Sequence, residues 1–210
     1  MFIGYYNAAN IITLLGLVCS VTSCYLAMIG QLKLAILVFL FAGLCDMFDG
    51  RIARKLDKPQ KEKLFGVQID SLCDMVSFGI TPGIIAYCLG FDSIIDIIIY
   101  IFFAICGAIR LAYFNTQALS EAENFKMTHF TGVPIPTICI ILPPISLIML
   151  YVEPSIMQHI FRTLYVLLAF AFICKLKIKK PGILYNIISV AVLLVCVIFL
   201  FVGGPLKCNY

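Results

Sequence analysis

Charge is scarce in this chain of 210 residues: Asp, Glu, Lys and Arg together make up only 12%, about half the share of an ordinary soluble domain. A fully solvated globular surface is excluded by that alone. Histidine is nearly absent, and the two present, His129 and His159, have no metal-ligand spacing. The ten cysteines are scattered singly through apolar segments with no C-x-x-C pair. Zinc frameworks and secreted disulfide frameworks are therefore not expected, and the thiols read as small hydrophobes packed in helices. There is no internal repeat or low-complexity tract, and alternation at period two is weak. Together with long apolar runs this excludes a transmembrane β-barrel. No basic segment precedes the first apolar run, so no cleavable signal peptide is expected.

Apolar sequence is what the chain has in abundance: 62% hydrophobic residues and a mean hydropathy of +1.07. Runs of roughly 20 mostly apolar residues recur, each long enough to cross about 30 Å of hydrocarbon. The expected spans are 8–29, 32–55, 64–90, 92–118, 132–152, 155–175 and 182–203. The short turns around Gly30, Gly90 and Pro154 leave no room for a soluble domain. The expectation is one all-α integral membrane domain over 1–210, a bundle of about seven transmembrane helices (six-helix core plus one).

Basic residues set its orientation. Arg51, Arg54, Lys55, Lys58, Lys61 and Lys63 cluster after the second span, Lys126 follows the fourth, and Lys175, Lys177, Lys179 and Lys180 follow the sixth. The opposite loops offer little beyond Lys33, with Lys207 near the C-terminus. The N-terminus and basic loops are expected in the cytoplasm and the C-terminus outside, in a multi-pass protein of the cell membrane. The net charge of +4 is this asymmetry and does not point to nucleic acid.

Against this background stand four aspartates. Asp46, Asp49, Gly50, Ala53 and Arg54 share one helical stripe, and Asp70 and Asp74 sit one turn apart on the next span, with Gly66 a turn before. At about 1.5 Å per residue, Asp49 and Asp46 lie roughly 9 and 13 Å from the basic loop, and Asp70 and Asp74 roughly 9 and 15 Å. The two spans, about 32–55 and 64–90, are antiparallel neighbours, so all four carboxylates meet near the cytoplasmic face. Unpaired, they would repel. Hard divalent cations take such oxygen ligands, and Mg²⁺ typically combines carboxylates with substrate phosphates. Two ions could clamp the attacking and leaving oxygens of a phosphoryl transfer. Gly50 and Gly66 would let a ligand or facing helix approach closely, and Arg54 can grip phosphate in bidentate fashion.

These residues resemble the D-x2-D-G-x2-A-R-x8-9-G-x3-D-x3-D signature of the CDP-alcohol phosphotransferases, with all eight fixed residues present. The departure is in the loop, where eleven residues separate Arg54 from Gly66. The surplus falls in the polar stretch Asp57 to Lys63, leaves both acidic pairs intact, and puts loop-borne ligand contacts in question. The runs Asp70 to Pro82, Gly107 to Asn115 and Phe130 to Pro136 look like the corresponding segments of bacterial and archaeal phosphatidylserine synthases. The resemblance covers roughly 46–136.

It implies transfer of a phosphatidyl group from CDP-diacylglycerol to L-serine with release of CMP, two divalent cations (Mg²⁺ or Mn²⁺), and a homodimer in membrane lipid with its pocket open to the cytoplasmic leaflet. Carried over residue by residue, Asp46, Asp49, Asp70 and Asp74 would be metal ligands, with Asp74 also the general base. Gly50, Ala53, Arg54 and Gly66 would line the nucleotide pocket. Asn10 and Thr13 match a polar pair at the start of the family's first span and are assigned to CDP-lipid binding, against a helix cap or packing hydrogen bond. Arg110, a charge in an apolar setting, is assigned with Asn115, Ser77 and Thr131 to serine or phosphate binding, against pairing of Arg110 with the acids. Arg162 reads as a helix anchor.

Other acceptors, glycerol phosphate or inositol phosphate, remain open, because the motif fixes the CDP-linked donor better than the alcohol. A phosphorylated acceptor would want extra basic residues beside Asp74, and only Arg110 is offered. A cation transporter would need polar residues across the full depth and an inverted repeat. The far halves of the spans are apolar apart from Asp92 and Asp96, and no repeat is present. A structural lipid-binding protein would not need four convergent acids.

Overall fold

A computed structural model describes residues 3–123, 130–131, 133–149, 152–175 and 177–178. Among these, six helices follow in chain order: α1 (Ala8–Met28), α2 (Leu32–Ala53), α3 (Gln60–Cys88), α4 (Ile94–Glu123), α5 (Thr137–Ile148) and α6 (Pro154–Ile173). Four of them, α1, α3, α4 and α6, are both long and apolar enough to cross a membrane. The expected count of about seven spans is not reached among the described residues. The α2 helix is long enough, at 22 residues, but carries Lys33, Asp46, Asp49 and Arg51. The fifth expected span, 132–152, is a helix of 12 residues among the described residues; Pro134 and Pro136 precede its start, and Pro143 and Pro144 lie within it. The seventh, 182–203, lies outside the described residues. Phe130 and Thr131 pair antiparallel with Ile178 and Lys177, a short backbone contact with no sequence signal.

Two sharp reversals are glycine-made. Gly30 (φ 78°) and Gly90 (φ 97°) take the left-handed conformation, which costs other L-residues about 1–2 kcal/mol. Behind each, an amide bonds back five residues, Gln31 to Leu26 and Phe91 to Ala86. These contacts close the orphan carbonyls of the helix end.

The packing has an inside-out polarity suited to lipid. Thr13, Gly16, Ser20, Ser23 and Ala27 form the buried stripe of α1, which packs most extensively on α2. A Cβ at Gly16 would come within 3.1 Å of the Cys45 Cβ, and Ser23 donates to the Ala35 carbonyl at 2.7 Å. Small residues let the backbones close, as membrane helices require. Outward, Ile94, Ile98, Ile101, Ile105 and Ile109 run up one face of α4, each more than half exposed. In water such a stripe would be a large apolar patch; in hydrocarbon it is solvated.

The aromatic core sits away from the basic loops. Phe103, Phe161 and Tyr165 pack there, and Tyr165 donates its hydroxyl to the Pro82 carbonyl at 2.7 Å. Beside it, Asp96 is fully buried and held by five hydrogen bonds, one of them from the Arg162 terminal nitrogen at 3.3 Å. Arg162 bonds through Nε at 2.6 Å, Gln158 Nε2 at 2.8 Å, and the Ser93 hydroxyl and amide complete the set. Arg162 thus pins α6 to α4 rather than anchoring a helix end. Replacing Asp96 by Ala strands these donors in an apolar setting. It should lower the thermal unfolding midpoint in detergent by on the order of 5 °C, whereas Asp92→Ala at an exposed position should leave it unchanged.

Candidate active site

The acidic residues of α2 and α3 meet as depth counting requires. Asp46, Asp49 and Asp70 each bring a carboxylate oxygen within 4.8 Å of the others. Asp74, a turn deeper on α3, lies beside Asp46 and closes the inner end of the group. Asp49 is buried at 4% exposure, and the other three are half-buried.

Three neighbouring elements hold the cluster in place. On α2, Gly43 faces Cys139 of α5 so closely that a Cβ there would lie 2.9 Å from its Sγ. On α3, the backbone widens into a π-helical turn, Met75–Ile80, directly after Asp74. Pro82 lacks an amide proton, so the ordinary ladder fails ahead of it. The Val76 carbonyl accepts both the Thr81 amide, across the wider spacing, and the Thr81 hydroxyl at 2.9 Å. Wide turns of this kind recur at functional sites. From α1, the Thr13 hydroxyl reaches Asp49 Oδ2 at 2.7 Å.

A cavity of about 360 Å³ opens above the acids, within the range of small-molecule sites. Asp49 and Asp70 form part of its lining. So do all six residues assigned to CDP-lipid binding: Asn10, Thr13, Gly50, Ala53, Arg54 and Gly66. A Cβ at Gly66 would stand 3.4 Å from Asn10 Oδ1, so the glycine keeps open the gap between α3 and α1. The lengthened loop contributes Leu56, Lys58 and Lys63 to the rim.

The helix cap weighed for Asn10 and Thr13 belongs to Asn7, whose side chain accepts the Asn10 amide at 3.0 Å. Asn7 also donates to Glu62 Oε1 at 2.8 Å, tying the start of α1 to the start of α3. Sequence reasoning missed both residues. An asparagine just before the first apolar run was the available signal for the cap; the partner on α3 had none.

The second group of candidates does not line this cavity. Arg110 of α4 is buried at 8% exposure, its guanidinium 4.6 Å from the Phe114 ring centroid. Its Nε has no hydrogen-bond partner among the described residues, and Asp74 is the charge it senses. Asn115 is engaged elsewhere: it accepts from Ser71 at 2.8 Å and reaches Gln68 at 3.4 Å, joining α4 to α3. Ser77 is buried within the wide turn. Thr131 lies in the short pairing with Lys177.

The donor set is all carboxylate oxygen, with basic side chains at the rim. That chemistry fits a hard divalent cation beside a phosphate-bearing ligand, and not a soft or thiolate-bound metal. The fold and site thus define a helical membrane protein with a cluster of carboxylates able to hold a cation beneath a basic-rimmed cavity. The chain belongs to the CDP-alcohol phosphatidyltransferase family, whose family model matches residues 6–202.

Its relatives include the CDP-diacylglycerol–serine O-phosphatidyltransferase of Saccharomyces cerevisiae, 41% identical over 103 residues, which are 47% of this chain and 36% of that protein. The Bacillus subtilis enzyme of the same name is 33% identical over 60% of this chain and 67% of its own length. The archaetidylserine synthase of Methanothermobacter thermautotrophicus is 34% identical over 63% of this chain and 54% of its own length. The matched region therefore spans from about a third to about two thirds of these relatives. Loss of one of the three clustered carboxylates should weaken Mn²⁺ binding. Asp70→Asn is expected to raise the Mn²⁺ dissociation constant, followed by electron paramagnetic resonance, by more than the roughly tenfold that an outer partner is worth.

Proposed function

We propose that this chain transfers the phosphatidyl group of CDP-diacylglycerol to L-serine, forming phosphatidylserine and CMP. One observation carries the reading. The six residues assigned to the CDP-lipid line a single cavity with Asp49 and Asp70, directly over the clustered acids. The names of the relatives supply the acceptor.

In this reading the cytidine diphosphate lies in the cavity with its phosphates toward Arg54. The acyl chains leave between the helices into lipid. Asp46, Asp49, Asp70 and Asp74 would hold two divalent cations, Mg²⁺ or Mn²⁺, which when bound supply neutralisation of phosphate charge. Serine enters on the Asp74 side, its carboxylate toward Arg110, whose Nε is free to donate.

The serine hydroxyl is a neutral nucleophile, so its proton must pass to a base as it attacks. Asp74, deepest of the four and on the Arg110 side, is that base. The serine Oγ–phosphorus bond forms as the phosphorus–oxygen bond to CMP breaks, and CMP carries away the electron pair. Arg54 offsets the charge that appears on it. In this reading the cavity faces the cytoplasm, which the basic loops support, and the working unit is a homodimer, as the resemblance implies.

Purified protein with Mn²⁺ and labelled CDP-diacylglycerol should convert L-serine to phosphatidylserine and leave glycerol 3-phosphate and inositol phosphate unreacted. Reaction with either of those in place of serine would overturn the acceptor. Asp74→Asn should lower turnover by about 10²- to 10⁴-fold while CDP-diacylglycerol binding is retained. Arg110→Lys should raise KM for serine more than KM for the CDP-lipid, because lysine replaces the planar fork by a point charge.

A further inference from the structure

We propose that Thr13 is a positioning residue for the cation site, orienting the Asp49 carboxylate from α1, and that it does not bind the CDP-lipid through its hydroxyl. The inference rests on the divalent-cation reading of the acidic cluster and adds to it a residue outside the two motif helices.

The geometry decides between the two roles. Thr13 Oγ1 has one proton. It lies 2.7 Å from Asp49 Oδ2 and 3.1 Å from the Ala9 carbonyl. Ala9 is four residues back in the same helix, so its carbonyl already accepts the Thr13 backbone amide. The carboxylate is nearer, charged and buried, and a hydrogen bond to it is about twice as strong as a neutral one. The proton therefore goes to Asp49.

Both partners are buried, Thr13 at 7% and Asp49 at 4% exposure. With Oδ2 bonded from α1, rotation of the carboxylate about its terminal bond is restrained while one of its oxygens lies within 4.8 Å of those of Asp46 and Asp70. Carboxylates that ligate metals are commonly fixed by such outer hydrogen bonds. The α1 backbone is itself immobilised at this level by close approach to α2 at Gly16 and Cys45, one turn beyond Thr13. Asn10, one turn the other way, differs in kind. Its amide group donates to the Tyr5 carbonyl at 2.8 Å, while its oxygen stays in the cavity beside Gly66. Both residues line the cavity, but only Thr13 gives its side-chain proton to the carboxylate, while Asn10 gives its amide to a backbone carbonyl.

The test uses the full chain in detergent and compares wild type with Thr13→Val and Thr13→Ser. Mn²⁺ binding is read by electron paramagnetic resonance, and transfer from CDP-diacylglycerol is followed across Mn²⁺ concentration. Thr13→Val should raise the Mn²⁺ dissociation constant about tenfold, and Thr13→Ser should return it to within about twofold of wild type. Saturating Mn²⁺ should restore turnover in Thr13→Val, with KM for CDP-diacylglycerol near wild type; a lesion of folding would not be rescued by the metal. If Thr13→Val leaves Mn²⁺ affinity unchanged and instead raises KM for CDP-diacylglycerol, the hydroxyl serves the lipid and the inference is overturned alone. If the wild type neither binds Mn²⁺ nor catalyses transfer, the functional reading fails and takes this inference with it.

Discussion

Four carboxylates gathered in one part of an apolar bundle are the constraint to which the surrounding architecture answers. Their mutual repulsion grows as water is excluded, because the effective dielectric falls. No protein cation among the described residues sits inside the cluster to offset it. Arg54 is at the cavity rim, and Arg110 lies to one side over Phe114. A set of oxygen donors in that state is organised for something brought in from outside. The cavity above it, rimmed by Arg54, Lys58 and Lys63, is where a phosphate-bearing ligand would meet it.

Holding such a cluster needs backbones that cannot drift apart. Lipid supplies no hydrophobic drive between helices, so contact depends on close packing and a few hydrogen bonds. Gly16 against Cys45, Gly43 against Cys139 and Ser23 on the Ala35 carbonyl supply it around α2. At the other end, the Asp96 network and the Tyr165 bond to Pro82 join α4, α6 and α3. The α3 helix spans both regions, and its wide turn at Met75–Ile80 separates the acidic half from the aromatic core. Chemistry and anchoring thus occupy opposite ends of the same helix.

Much of the site was legible because its signal is local. Asp46, Asp49, Asp70 and Asp74 are costly in an apolar run, and helical periodicity with a rise of 1.5 Å per residue places them on facing stripes. The glycines at 50 and 66 follow from the same stripes. The roles of polar residues were less legible, because a hydroxyl or amide can turn to several partners. Asn115, read as a substrate contact, is occupied by Ser71 and Gln68. Arg162, read as an anchor, is the partly exposed partner of the buried Asp96. At α5 the helix begins only after Pro134 and Pro136 and has 12 residues, a limit that hydropathy alone does not show.

By itself the sequence determined the helical class, the two acidic helices, their antiparallel pairing and the family, since each depends on spacing along one segment or between neighbours. Tertiary structure alone decided which partner each polar side chain takes. Asn7 caps α1 and reaches Glu62 across 55 positions, and Thr13 turns to Asp49 across 36. Those pairings depend on the rotation of α1 against α2 and α3. Packing between helices sets that rotation, and no periodicity within one segment encodes it.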